Sequence, residues 1–327
     1  MNRDELLARL QPLMARVDET MRLDLAAIVS PTLQEIIDHA VFNGGKRVRP
    51  LLMLLAADLC GRRGDDETFR LAMAFEYLHA ASLLHDDVID HAEQRRGKPS
   101  ANTLWGNANV ILAGDYLHTR AMTLAGTIGG PEILALIGDA TAAMVEAEFL
   151  QARTAAEIDR SEKNYFAVLT GKTGALISSP CEVGAVHANG SPLQRQALRA
   201  YGLAIGLAFQ VVDDLLDYLG DPAKTGKAVG NDFQEGKMTL PLIHALERAP
   251  AVDRDHLLSL LAAAPEQRQT GLASTHAIIE ASGGFASART KAEELVREAA
   301  AALDPFPASE TKEVLLGLGQ YVLTRQK

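Results

Sequence analysis

The stretch FRLAMAFEYLHAASLLHDDVID, Phe69 to Asp90, decides how the chain is read. Up to His85 it is rich in Ala and Leu, free of Gly and Pro, and apolar on most faces, which is a strong helix pattern. It then ends in three aspartates. Positions four apart share a helix face, so Asp86 and Asp90 point the same way, one turn apart. They lie near the helix C-terminus, where the macrodipole disfavours negative charge. With Asp87 between them the cluster is locally costly, and something must neutralise it.

The pattern returns further along. DDVID at 86–90 and DDLLD at 213–217 both read D-D-x-x-D, and the second closes the apolar run YGLAIGLAFQVV. Little else aligns around the two, so they make only a weak internal repeat. An ordinary solvated face would place lysines one turn away, and neither cluster does. Two matching clusters, each at the end of a long apolar helix, point to carboxylates that bind hard cations. Mg²⁺ fits best, because it takes oxygen ligands, keeps several waters and shares carboxylates with substrate phosphates.

Composition sets the bounds. The chain has 327 residues, 47% of them hydrophobic and only 5% aromatic, with a formal net charge of -10. Val/Ile/Thr-rich alternating runs are scarce, which favours helices. The acidic balance argues against a nucleic-acid partner, which needs a basic surface. Cys60 and Cys181 stand far apart without a CxxC partner, as free thiols do in a reducing cytoplasm. MNRDELLARL is already amphipathic and charged, unlike a signal peptide. LLMLLAADLC is too short to span a bilayer. A soluble, cytoplasmic protein is expected, although its substrate need not be water-loving.

The helical pattern runs nearly throughout. Ser30-Pro31 reads as an N-cap with proline at the first helical position. Ser191 with Gln194, and Asp159 with Glu162, read as capping boxes. Breaks fall at 43–50, 60–66, 95–102, 128–132, 188–192 and 219–232, and the last is the longest. Loops of that length inside a compact domain are often functional. No linker separates independent halves. The expectation is one all-α domain over residues 1–327, built from roughly a dozen helices.

Basic residues collect at these breaks. Arg95 and Arg96 follow the first cluster, and Lys46, Arg47 and Arg49 sit in GGKRVRP. Lys172 and Thr173 lie in TGKTGA, and Lys227 and Lys237 flank the loop after the second cluster. Arg grips phosphate bidentately and Lys acts as a point charge. GKTG lacks the full P-loop spacing and no strand precedes it, so a nucleotide fold is rejected. Glu76-Tyr77-Leu78-His79 has the Glu-x-x-His spacing of di-iron bundles, but no second copy exists in the chain. His79 reads instead as a hydrogen-bond donor near the site.

At this point the sequence resembles the trans-polyprenyl diphosphate synthases, most of all the long-chain bacterial members. The likeness runs from GGKRVRP to DFQEGKMTLP. It is most specific in LLHDDVIDHAEQRRGKPSAN and FQVVDDLLDYLGD, which are similar to the two aspartate-rich motifs of that family. Class I terpene cyclases share the fold but replace the second cluster with an Asn/Ser/Glu motif, which is not found here.

The resemblance implies an all-α fold around a deep central cavity, commonly as a homodimer. It implies head-to-tail condensation of isopentenyl diphosphate with an allylic diphosphate. Asp86, Asp90 and Asp213, with Asp87, Asp214 and Asp217, would hold about three Mg²⁺ on the allylic diphosphate. Arg95, Lys172, Thr173, Gln210, Lys227 and Lys237 would contact that same group. Lys46, Arg49, His79 and Arg96 would hold isopentenyl diphosphate. Metals and cations would neutralise the leaving diphosphate, and apolar helices would shield the carbocation from water. No side chain stands out as the general base, and the released diphosphate could serve.

Product length should depend on what lies beneath the first cluster. Ala81 and Ser82, one turn back from Asp86, are both small, where short-chain relatives typically carry an aromatic floor. Leu78 and Phe75 lie roughly 11 and 16 Å back at 5.4 Å per turn. Phe75 is either a deeper floor or simply core. The expected product is a long all-trans chain, about C30 to C50, of the kind used as a quinone side chain. Geranylgeranyl or farnesyl diphosphate is the alternative product. A non-catalytic subunit of a prenyl synthase is the alternative of another class, although such relatives tend to lose one aspartate cluster.

Overall fold

The structure is a computed structural model, and it describes residues 2–95, 97–220 and 229–325. The chain is helical almost throughout, as expected. Among the described residues the only strands are Gln94–Arg95 and Lys98–Pro99, a short antiparallel pair with Gln94 opposite Pro99. Backbone contacts group the chain into two compact units.

The first unit comprises Met1–Ala140, Leu176–Gly202 and Leu303–Gly317. Its early helices are α1 (Arg3–Leu25), α2 (Pro31–Phe42), α3 (Val48–Leu59) and α4 (Asp66–Ile89). A five-residue α5 (Ala101–Trp105) and the long α6 (Asn107–Leu124) follow. Helix α4 is the axis of this unit and packs against α1, α2, α3, α5 and α6. Its start is well specified. Asp65 caps it by accepting from the Thr68 amide at 2.8 Å, and Asp66 and Glu67 in the first turn suit the macrodipole. From Leu71 to Leu78 every side chain is buried. A helix apolar on all sides is stable only when neighbours surround it. Phe75, Tyr77, Val110, Leu117 and Met21 form the centre of that core. Each such large side chain contributes about 1.5–3 kcal/mol by leaving water.

The second unit comprises Thr141–Ala175, Leu203–Ala302 and Leu318–Lys327. Helix α7 (Gly130–Ala156) contributes its later turns, followed by α8 (Glu162–Leu169). After α9 (Ala175–His187), the later turns of α10 (Pro192–Leu219) also belong here. The helix Leu240–Arg248 packs on Gly284–Ala302 and Leu272–Ala281. Leu242, Ile243, Leu257, Ile279 and Phe285 fill this core.

Several local expectations hold. Ser30 caps α2, with Pro31 at the first position. Ser191 and Gln194 form a reciprocal box, at 2.8 and 3.3 Å. One needs correction. The cap of α8 is Ser161, whose hydroxyl accepts from the Asn164 amide at 3.2 Å. Asp159 instead accepts from the Ser161 amide and the Asn164 side chain. The stretch TGKTG, despite its two glycines, stays helical. Thr170–Gly174 forms a π-helical turn directly continuous with α8 and α9.

Candidate functional site

In the first unit the three aspartates are not equivalent. Asp86 is half-buried and Asp90 exposed, while Asp87 is only 2% exposed. Asp87 Oδ1 accepts from Arg95 Nε at 2.7 Å. The cause is local. Helix α4 stops at Asp90, and His91 takes a left-handed φ of 50°. That reversal sends the chain into the Gln94–Pro99 hairpin, which brings Arg95 back onto the helix end. Ser100 then ties the hairpin down, donating its amide to Glu93 and its hydroxyl to Ala92. A small cleft of about 30 Å³ lies here, lined by His39, Asn43, Leu84, Asp87, Arg95 and Ser100. Arg96 falls outside the described residues.

The turn after α2 carries Lys46, Arg47 and Arg49. Gly44 and Gly45, at φ 88° and 150°, make its path. Lys46 is exposed. Arg47 turns inward at φ 49° and is 4% exposed. Its guanidinium donates to Asp18 and Glu76, both at 2.7 Å, and to the Val41 carbonyl at 2.8 Å. Arg47 is therefore a structural cation. Glu76, the acid of the Glu-x-x-His spacing, is its partner and not a metal ligand. Arg49 keeps a buried Nε without a partner among the described residues, and burial lowers its pKa. His79 is half-buried, and its carbonyl accepts from Ser82 Oγ at 2.9 Å. Ala81 and Phe75 are buried in the core around α4.

In the second unit Asp213 and Asp217 are partly exposed and Asp214 is buried. Asp214 accepts from the Tyr165 hydroxyl at 2.7 Å and the Gln210 amide at 2.9 Å. Burial, and then the nearby Asp232 charge, push its pKa well above the usual carboxylate range. The same two causes raise Asp217 to about 6. Asp217 also accepts from the backbone amides of Asn231 and Asp232, at 3.2 and 3.1 Å. Asp213 pairs with Arg325 Nη2 at 2.6 Å.

The π-helical turn supplies the basic side of this group. π-turns recur at functional sites. Here one turn presents Lys172 to Glu148 at 2.8 Å and Thr173 Oγ1 to Gln210 Oε1 at 3.1 Å. Gly171 permits this, because a Cβ there would lie 2.6 Å from the Ala143 carbonyl oxygen on α7. Lys237 bonds Asp232 at 3.1 Å and Glu235 at 2.6 Å. Burial alone would lower its pKa, but those acids raise it. A cleft of about 90 Å³ gathers Gln151, Lys172, Thr173, Gln210, Asp214 and Lys237. Lys227 falls outside the described residues.

Sequence reasoning missed Gln151, Tyr165, Asp232 and Arg325. Asp232 is the first residue of the matched stretch DFQEGK and was within reach. Gln151 and Tyr165 stand alone in ordinary helical segments and Arg325 just beyond one, and none gave a signal.

The donor sets fit a hard divalent cation, being carboxylate oxygens throughout. Among the described residues no three His, Cys, Asp or Glu side chains converge on one point. An ion held by one or two carboxylates completes its shell with water and phosphate, which is the habit of Mg²⁺.

Comparison with known proteins agrees with these features. The chain belongs to the polyprenyl synthetase family, whose sequence profile matches residues 30–278. A short chain isoprenyl diphosphate synthase of Methanothermobacter thermautotrophicus is 37% identical, over 94% of this chain and 95% of the relative. An octaprenyl diphosphate synthase of Haemophilus influenzae is 36% identical, over 99% and 98%. The crystal structure of a polyprenyl synthase from Caulobacter crescentus CB15, complexed with calcium and isoprenyl diphosphate, superimposes with a TM-score of 0.88. It is 34% identical and covers 99% of this chain and 98% of that one.

Proposed function

We propose that this chain is a trans-polyprenyl diphosphate synthase. It condenses isopentenyl diphosphate head-to-tail onto an allylic diphosphate to give a long product of about C30 to C50. The observation that carries the reading is the pair of D-D-x-x-D clusters, each near the C-terminal end of a long helix and each with one aspartate paired to an arginine outside that helix.

Residues 1–327 act as one catalytic domain. Asp86, Asp87 and Asp90, with Asp213, Asp214 and Asp217, hold Mg²⁺ directly or position the residues that do. When bound, the metal neutralises charge on the departing diphosphate. Lys172, Thr173, Gln210, Lys227, Lys237 and Arg95 grip the allylic diphosphate and add fixed positive charge where the oxygens gain negative charge. Lys46, Arg49, His79 and Arg96 hold isopentenyl diphosphate. Its double bond attacks the allylic cation, and the released diphosphate takes the proton. Ala81 and Ser82 leave room for the growing tail.

The relative from Methanothermobacter, named for short chains, favours a second product, geranylgeranyl or farnesyl diphosphate, with Phe75 as a floor. A homodimer is supported by α6, which leaves Ile111 and Leu112 exposed at 41% and 63%. No helix among the described residues is long and apolar enough to cross a membrane. The proposed location is the cytoplasm.

The test is the chromatographic length of the product from farnesyl and isopentenyl diphosphates with Mg²⁺. A ladder ending between C30 and C50 is expected. Products that stop at C20 overturn the long-chain assignment. No diphosphate release by the purified chain at any Mg²⁺ concentration favours a subunit role.

A further inference from the structure

Arg325 stands one residue beyond the helix Glu310–Thr324, and its side chain is 8% exposed. Its guanidinium lies over the Phe209 ring, 4.0 Å from the centroid. Phe209 sits one turn before Asp213 on α10. One nitrogen, Nη2, bonds Asp213 Oδ1 at 2.6 Å. The other two, Nε and Nη1, are buried without a hydrogen-bond partner among the described residues.

That is an unfinished arrangement. Buried donors are nearly always paired, so two idle ones on a single cation mark a missing acceptor. Their chemistry calls for an anion, and phosphate oxygens suit a guanidinium best. The fork geometry adds a constraint. A guanidinium grips an anion bidentately through Nε with Nη2, or through Nη1 with Nη2. Nη2 has one hydrogen in each fork, so its bond to Asp213 takes one fork and leaves the other open. While it pairs with Asp213, Arg325 divides its single positive charge between that carboxylate and any anion at the open fork.

We propose that Arg325 is a resident counter-ion that competes with the divalent cation for Asp213. While no cation is bound, it neutralises the carboxylate. When a cation takes Asp213, Nη2 is released, and both forks and the undivided charge of Arg325 become available to a substrate phosphate. Metal and diphosphate then bind cooperatively, because each frees the partner that the other needs. The proposal rests on the reading of Asp213 as a metal carboxylate.

The experiment is calorimetric titration of Mg²⁺ into substrate-free protein, repeated with inorganic diphosphate as the anion probe. Arg325→Met keeps the apolar stem over Phe209 and removes the charge. It should bind Mg²⁺ about tenfold more tightly than wild type without diphosphate, on the scale of typical coupling between sites. Diphosphate should strengthen Mg²⁺ binding less in this variant than in wild type. Arg325→Lys, which keeps the charge without a fork, should match wild type without diphosphate and fall short with it. Equal or weaker Mg²⁺ binding by a folded Arg325→Met protein overturns the proposal, and prenyl product from the wild type would then leave the proposed function standing. Mg²⁺ binding that survives Asp213→Asn unchanged, with no prenyl product from wild type, overturns both.

Discussion

Arg95 Nε lies 2.7 Å from Asp87 Oδ1, and this one bond sets the middle aspartate of the first cluster apart from its neighbours. Asp87 is buried, whereas Asp86 and Asp90 reach solvent. Loss of the carboxylate removes a charged hydrogen bond and strands the hairpin end. Asp87→Asn should cost about 1–3 kcal/mol of stability in urea unfolding. Asp86→Asn should change stability by no more than about 0.5 kcal/mol. It should nevertheless lower Mg²⁺-dependent turnover by about a hundredfold or more. The reverse order of stability losses would show that Asp86, not Asp87, is the structural acid.

Arg47 poses a sharper case, because all three of its nitrogens are used. Lysine carries the charge but cannot reach Asp18, Glu76 and the Val41 carbonyl together. Arg47→Lys should destabilise the protein by on the order of 3 kcal/mol, since Glu76 would be left buried with too few partners. Thermal unfolding checks this, and a melting temperature within a degree of wild type would refute it.

The two small residues below the first cluster should not respond alike to a ring. Ala81 is 4% exposed and packed in the core, so Ala81→Phe carries an overpacking cost of about 1–3 kcal/mol. Ser82 is half-buried and loses only a bond to the His79 carbonyl. Ser82→Phe is the cleaner probe. It should shorten the product at near-normal stability, as read by chromatography. Unchanged length in both variants would mean that the tail runs elsewhere.

A pH effect is expected at His187. Burial, with the Arg62 charge second, lowers its pKa below 6.5. Its ring meets the Thr68 hydroxyl at 3.2 Å, while Asp65 and Glu67 pull weakly the other way. The folded state therefore resists a proton that the unfolded chain accepts. Stability is unaffected above the unfolded pKa and is lost as pH falls through about 6.5 toward the lower folded value. His187→Gln should flatten that slope in denaturation curves taken between pH 7 and 5.

The fold class was plain in Phe69–Asp90, because apolar runs without Gly or Pro permit little but buried helix. The two aspartate clusters and their place at helix ends were equally plain, since both depend on spacing alone. The inequality among the aspartates was not. It arises when His91 reverses the chain and returns Arg95, and no periodicity encodes that. The same limit hid the inward turn of Arg47, which looks like its neighbours in GGKRVRP, and the arrival of Arg325 at Asp213 from 112 residues away. The two glycines of TGKTG serve close packing inside a π-helical turn, which their identity alone does not announce.

Gly171 leaves no space for even one more carbon between the turn and α7. A lineage could drift at Ser82, and on the proposed assignment change tail length in small steps, because a half-buried serine has room to vary. It could not drift in the same way at Gly171, where the smallest change pushes on another helix's backbone. On the proposed assignment, the two ends of the substrate would therefore evolve at different speeds, the hydrocarbon end freely and the diphosphate end hardly at all.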